Sequence, residues 1–300
     1  MMCHPPINMK DFKALLSVFA FLFIIPTFAD ELDNLISSHE AIKIAGGFRF
    51  TEGPVADKSG NVFFSDIPTS KTYKWNADTG KVSVARENTH EGNGMRMDKN
   101  GIRYTCEHAS RSITATLPNG EVITVVNAYE GKKLNSPNDL WFDPKGGIYF
   151  TDPRYGKASN LEQDGFHVYY KFPQSSRVIR VCDDLVKPNG IIGTPDGKQL
   201  YVADLGDRKT YVYKINGDAT LTHKKLFAEL GSDGMSMDSD GNLYLTSGAV
   251  HIISPQGKRL GQITTPESPA NVTFGGKDMK TLFITARTSL YAIRMKVTGQ

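Results

Sequence analysis

Asn138-Asp139-Leu140-Trp141-Phe142-Asp143-Pro144-Lys145-Gly146-Gly147-Ile148-Tyr149-Phe150-Thr151-Asp152 reads as a polar anchor, a tight turn and an aromatic strand. Asp143 can bond its own backbone two residues on, and Gly146 suits the positive φ that ends such a turn. The apolar run Ile148-Tyr149-Phe150 then has strand character. The same pattern occurs five more times. Polar anchors stand at Glu52, Asn93, Asn138, Asn189, Asp233 and Asn271, separated by 41, 45, 51, 44 and 38 residues. Eight positions after the first five anchors comes Gly60, Gly101, Gly146, Gly197 and Gly241. Asp57, Asp98, Asp143 and Asp238 each fall five positions after theirs.

Repeats of this period, each made of short strands and turns, predict a six-bladed β-propeller with four strands per blade. No candidate helix of three turns stands out among the repeats, which argues against a parallel α/β fold. The sixth repeat ends at Gln300 before its fourth strand. An open sheet edge invites aggregation, so Ala41–Ala45 is expected to pair there as the outer strand and close the ring.

The remainder of the 300-residue sequence is consistent with one exported domain. Lys10 and Lys13 precede an apolar run from Ala14 to Ile25, followed by Pro26-Thr27-Phe28-Ala29 and the acidic Asp30. That order describes a secretory signal over residues 1–29, cut after Ala29, with the propeller in 30–300. The alternative is an uncleaved anchor; Met9 also offers a tidier start than Met1. A periplasmic or secreted location follows, with no stable membrane anchor. Cys106 and Cys182 fall on different repeats and are expected to stay unpaired. A net charge of +3 without a basic run implies no nucleic acid, and no protein partner is implied.

Equivalent positions on innermost strands point toward one axis. Here all six carry a side-chain oxygen, although a turn residue at a strand start is the plainer explanation of any one of them. Oxygen ligands suit a hard dication, calcium above all, with zinc, manganese or magnesium as alternatives. Glu52 and Asp233 supply two charges, Asn138 and Asn189 neutral amide oxygens. Asn93 and Asn271 are ranked as residues facing the channel. The second strands return to the same face, bringing Asp66, Glu107-His108, Asp152-Pro153-Arg154-Tyr155 and Asp204 there. Asp66 and Asp204 are read as stabilisers of loops.

Glu52-Gly53-Pro54, Asn135-Ser136-Pro137-Asn138-Asp139, Lys187-Pro188-Asn189-Gly190 and Asp233-Gly234-Met235 together resemble the senescence marker protein/gluconolactonase (regucalcin-like) family. Thr105-Cys106-Glu107-His108, Tyr149–Gly156 and Val272–Gly276 are similar to its bacterial lactonases, so the resemblance spans nearly the whole mature chain. It implies a calcium-dependent hydrolase of sugar lactones. The family's metal ligands fall on Glu52, Asn189 and Asp233, with Asn138 as ligand or substrate contact. Asp233 is the candidate base, with His108 as the alternative proton carrier. Arg154, Tyr155 and Asn93 face the substrate. Two departures, Ser136 in place of an Arg and Ser112 after Arg111, lie where substrate would sit. Phosphoester hydrolysis on the same scaffold, or a non-catalytic propeller with a structural metal, are the rival readings. The sequon at Asn271 lies where a glycan would not fit.

Overall fold

The computed structural model describes residues 1–2, 28–156 and 159–300. Residues 3–27 of the expected leader lie outside the described residues. Six antiparallel four-stranded sheets succeed one another as blades. Blade one runs through Thr51–Ala56, Val62–Asp66, Lys71–Trp75 and Val82–Glu87 from the axis outward. Blades two to five repeat this meander, with inner strands Gly92–Met97, Leu140–Phe142, Pro188–Gly193 and Met235–Met237. Blade six contributes Pro269–Gly275, Thr281–Ala286 and Ser289–Arg294.

Its outer strand is Ile42–Gly46, which pairs antiparallel with Ser289–Arg294. The predicted closure is therefore observed, shifted by one residue toward the C-terminus. A register irregularity between Lys43 and Ala45 accompanies it.

Inner and second strands are almost wholly buried, whereas outer strands such as Val122–Val126 face solvent along much of their length. The core lies between blades. Tyr149, Tyr170, Ile191 and Val202 fill the gap between blades three and four. Cys106, Leu140, Phe150 and Tyr169 fill the one before it. Cys182 lies on the outer strand of blade three, and both thiols are unpaired. Among the described residues, no helix is long and apolar enough to cross a membrane.

The turns are built as their sequence requires. Asp143 Oδ1 accepts the N–H groups of Lys145 and Gly147, both at 2.8 Å, and its Oδ2 accepts the Tyr170 hydroxyl at 2.7 Å. Asp57, Asp98 and Asp238 cap their own turns in the same way. Blade four has Thr194 in that place, and its hydroxyl accepts the Gln199 N–H at 3.1 Å. Replacing Asp143 with Ala strips two backbone donors and a buried phenol of their acceptor. A loss of about 2–4 kcal/mol is expected, read from the urea midpoint of unfolding.

Candidate functional site

The site lies at the start of the inner strands. There the sheet ladders are interrupted. Register shifts occur between Glu52 and Val55, Gly92 and Met95, Pro188 and Ile191, and Pro269 and Asn271. In blades three and five the strand begins only after Asn138-Asp139 and Asp233-Gly234. An interrupted ladder bends its strand and re-aims side chains. Adjacent blades then approach closely. A Cβ on Gly53 would stand 1.9 Å from the Asn93 carbonyl oxygen, and one on Gly234 1.9 Å from the Asn271 amide carbon. Only glycine permits that contact.

Hydroxyls on second strands tie neighbouring blades together. Ser65 Oγ donates to the Asn93 carbonyl (2.9 Å), Thr151 Oγ1 to that of Asn189 (2.7 Å) and Thr246 Oγ1 to that of Ala270 (2.6 Å). The aspartates at the ends of second strands hold the loops above. Asp66 accepts the Phe50 N–H, Asp152 those of Asn135 and Ser136, and Asp204 those of Val186 and Lys187. Asp66 and Asp204 thus stabilise loops.

Glu52, Asn138 and Asn189 are buried at this level, and Asp233 is half-buried. Asn189 Nδ2 donates to Asp233 Oδ1 and to the Tyr155 hydroxyl oxygen, both at 2.8 Å. Asn271 Nδ2 donates to Glu52 Oε2 at 3.0 Å, while its own oxygen is spent on the Val272 N–H. Asn271 is therefore a brace, and its burial leaves no room for a glycan. Asn93 Nδ2 donates to His108 Nε2 at 3.1 Å, which requires that ring nitrogen to be unprotonated.

The electrostatics are those of crowded carboxylates. Burial, then repulsion from Asp233, raises the Glu52 carboxyl well above its usual range. Burial pushes Asp233 up to about 6, against the bond from Asn189. Asp139, buried beside them, is raised by burial as well. Its Oδ2 has no hydrogen-bond partner among the described residues. Burial and the nearby Arg154 lower His108 to about 4, so its ring is neutral at neutral pH. Among the described residues, no three acidic, histidine or cysteine side chains form a metal cluster. The candidate donors here are two carboxylates and two amides. His108, Arg154 and Tyr155 line a cleft of about 370 Å³ together with Arg111 and Ser136. Tyr155 links that cleft to the buried donors through Asn189.

The SMP-30/Gluconolactonase/LRE-like region matches residues 50–288. The chain belongs to this family. Gluconolactonase of Zymomonas mobilis subsp. mobilis is 30% identical over 310 residues, covering 92% of this chain and 87% of that protein. A solved gluconolactonase structure from Xanthomonas campestris has a TM-score of 0.82 at 29% identity, covering 88% of this chain and 92% of that one. Diisopropyl-fluorophosphatase of Loligo vulgaris is 27% identical over 273 residues, covering 78% of this chain and 84% of that protein.

Three residues of this family member escape a reading from sequence. Asp139 is masked by its neighbour Asn138. Lys187 lies 4.3 Å over the Tyr155 ring. Arg287, in the left-handed region at φ 47°, follows the second strand of blade six and opposes the rise in Asp233's pKa. Its signal was available, since His108 holds the comparable place in blade two.

Asp233 binds its proton more tightly folded than unfolded. In metal-free protein it therefore adds stability that is full below its unfolded pKa of about 3.9 and is lost as pH rises through its folded one. Thermal unfolding of metal-free wild type and Asp233→Asn should show the wild type losing a few degrees relative to the variant as pH rises across that window.

Proposed function

We propose that this hydrolase of the lactonase type opens a sugar lactone related to gluconolactone, with one divalent cation, calcium by the hardness of its donors. The reading is carried by the convergence of Glu52 and Asp233. These two carboxylates, Glu52 buried and Asp233 half-buried, repel each other, and each accepts an amide N–H, Glu52 from Asn271 and Asp233 from Asn189. Such a donor set fits a hard dication, which would cancel the repulsion. Asp139 Oδ2, without a hydrogen-bond partner among the described residues, adds a further carboxyl oxygen nearby.

A bound dication supplies Lewis-acid polarisation of a carbonyl and charge opposite a developing oxyanion. Glu52 and Asp233 would hold it through their carboxylates, Asn138 and Asn189 through their amide oxygens. Asn189 spends both amide hydrogens on Tyr155 and Asp233, which turns its oxygen elsewhere. Asp233, oriented by Asn189, would take the proton of the attacking water. His108, neutral and oriented by Asn93, is the alternative carrier of that proton. Arg154 and Tyr155 would hold substrate hydroxyls and the carboxylate as it forms, with Asn93 and Asn138 facing the same space.

Hydrolysis of δ-gluconolactone should disappear with chelator and return with calcium. Asp233→Asn should lower kcat by about 10²–10⁴. Activity that survives complete chelation would refute the metal, and full activity of a metal-loaded Asp233→Asn would refute the base. Likeness to diisopropyl-fluorophosphatase favours a second reading, hydrolysis of a phosphotriester or fluorophosphate. The same polarising charge would serve P=O as well as C=O. A parallel assay with an aryl phosphotriester separates the two by their kcat/KM.

The leader at residues 1–29 supports export to the periplasm or medium. The mature protein, recovered from that fraction, is expected to begin at Asp30 by N-terminal sequencing.

A further inference from the structure

One wall of the cleft that holds His108, Arg154 and Tyr155 belongs to no blade. Ser159 lines the cleft there, in a segment, 159–163, that has no strand of its own. Against this segment lies a hairpin, Ala128–Tyr129 with Lys132–Lys133, whose two short strands pair with each other as a separate sheet. Leu134, buried in the core, and the Tyr129 ring against that of Tyr169 anchor the base of the hairpin. Neither segment joins the ladder of a blade, so its backbone groups must find partners elsewhere.

Arg111 supplies many of them. It ends the tight turn that also carries His108: its N–H bonds the His108 carbonyl at 3.3 Å, and its φ of 56° lies in the left-handed region. From this turn in blade two its guanidinium crosses to the loops of blade three. Nε donates to the Leu134 carbonyl and Nη2 to that of Lys133 (3.4 Å). Nη1 donates to the Asn160 carbonyl (3.1 Å) and to Glu162 Oε1 (3.3 Å). Arg154 forms a second rung between the same segments, from the Asn135 carbonyl (3.0 Å) to that of Ser159 (3.5 Å). Glu162 and Gln163 complete the tie. Glu162 Oε2 accepts the Lys133 N–H at 2.8 Å, and Gln163 Nε2 donates to the Lys132 and Lys133 carbonyls at 3.0 and 3.1 Å. A planar guanidinium, with donors fixed in a fork, can serve carbonyls on both segments at once; an ammonium cannot hold that geometry. Only 13% of the Arg111 side chain is exposed, so although it borders the cleft its donors are engaged by the wall.

We propose that Arg111 is a positioning residue that sets the width of the cleft and, through it, specificity. The staple holds Ser159 and the hairpin at a fixed distance from His108, which admits one sugar ring and excludes a second. This rests on the lactone reading above and adds to it a substrate class, the monosaccharide lactones. The cleft's volume of about 370 Å³ fits that class, since ligand pockets span roughly 300–1,000 Å³. Segments with few ladder bonds open at low cost, so loss of the staple widens the cleft without unfolding the blades. Arg111 acts through the wall and touches no reacting atom.

The test compares hydrolysis of δ-gluconolactone with that of cellobionolactone, which carries a second sugar ring. The proteins are calcium-loaded wild type, Arg111→Met, Glu162→Ala and Gln163→Met, with hydrogen exchange over residues 128–135 and 159–165 and thermal unfolding followed in parallel. Glu162 and Gln163 hold the wall but do not line the cleft, so they separate a staple from a substrate contact. Each variant should lose exchange protection in the two segments. Each should raise KM for δ-gluconolactone on the order of tenfold with kcat nearly kept, and shift the kcat/KM ratio toward cellobionolactone. A KM effect confined to Arg111→Met would make Arg111 a substrate contact and overturn the inference. An unchanged ratio in Arg111→Met, or an equal fall in kcat for both lactones with a lower Tm, overturns it as well. If Arg111→Met does not fold, Glu162→Ala, at an exposed residue, still decides: an unchanged ratio there refutes the staple. Wild type that opens neither lactone overturns the lactonase reading. Wild type that opens both equally well leaves that reading standing and overturns this one.

Discussion

Repulsion between carboxylates that the ring forces together is the constraint on which the site depends. Glu52, Asp139 and Asp233 come from blades one, three and five, far apart in sequence and close in space. Isolated buried charges of one sign are expensive. They persist because the framework holding them is rigid. Each inner strand is locked to its neighbour through glycine contacts and through the Ser65, Thr151 and Thr246 hydroxyls. The stability of the inter-blade core therefore maintains an electrostatic arrangement that the chain would not choose locally. This is the common condition of sites built for charge: local cost set against global packing.

The architecture was largely legible in the sequence. Asp57, Asp98, Asp143 and Asp238 cap turns through short-range bonds, and short-range chemistry shows directly in residue spacing. The third strands, such as Tyr211–Tyr213 and Tyr291–Ile293, fall where the repeat put them. The closing strand was legible by elimination, since blade six lacked an outer partner. Its register was not, because the irregularity at Lys43 and Ala45 depends on pairing with a segment about 250 residues away.

The placement of the candidate residues, not their roles, was legible in outline. Spacing alone brought Glu52, Asn138, Asn189 and Asp233 to one level. Spacing could not say which side-chain atoms are already spent. Asn271 shares its position with Asn189, yet its oxygen is committed to Val272 while that of Asn189 is not. Nor could it separate Asp139 from Asn138, adjacent residues of which one is a buried carboxyl whose Oδ2 has no hydrogen-bond partner among the described residues.

Closure by Ile42–Gly46 fixes the order in which the molecule can be completed. Ile42–Gly46 must pair with Ser289–Arg294, made about 250 residues later. During synthesis it has no native partner, and the ring stays open until blade six is available. Contacts of such separation are slow to form and leave edges exposed meanwhile. Until Ser289–Arg294 is available, blade six lacks the partner for its outer strand and the ring cannot close.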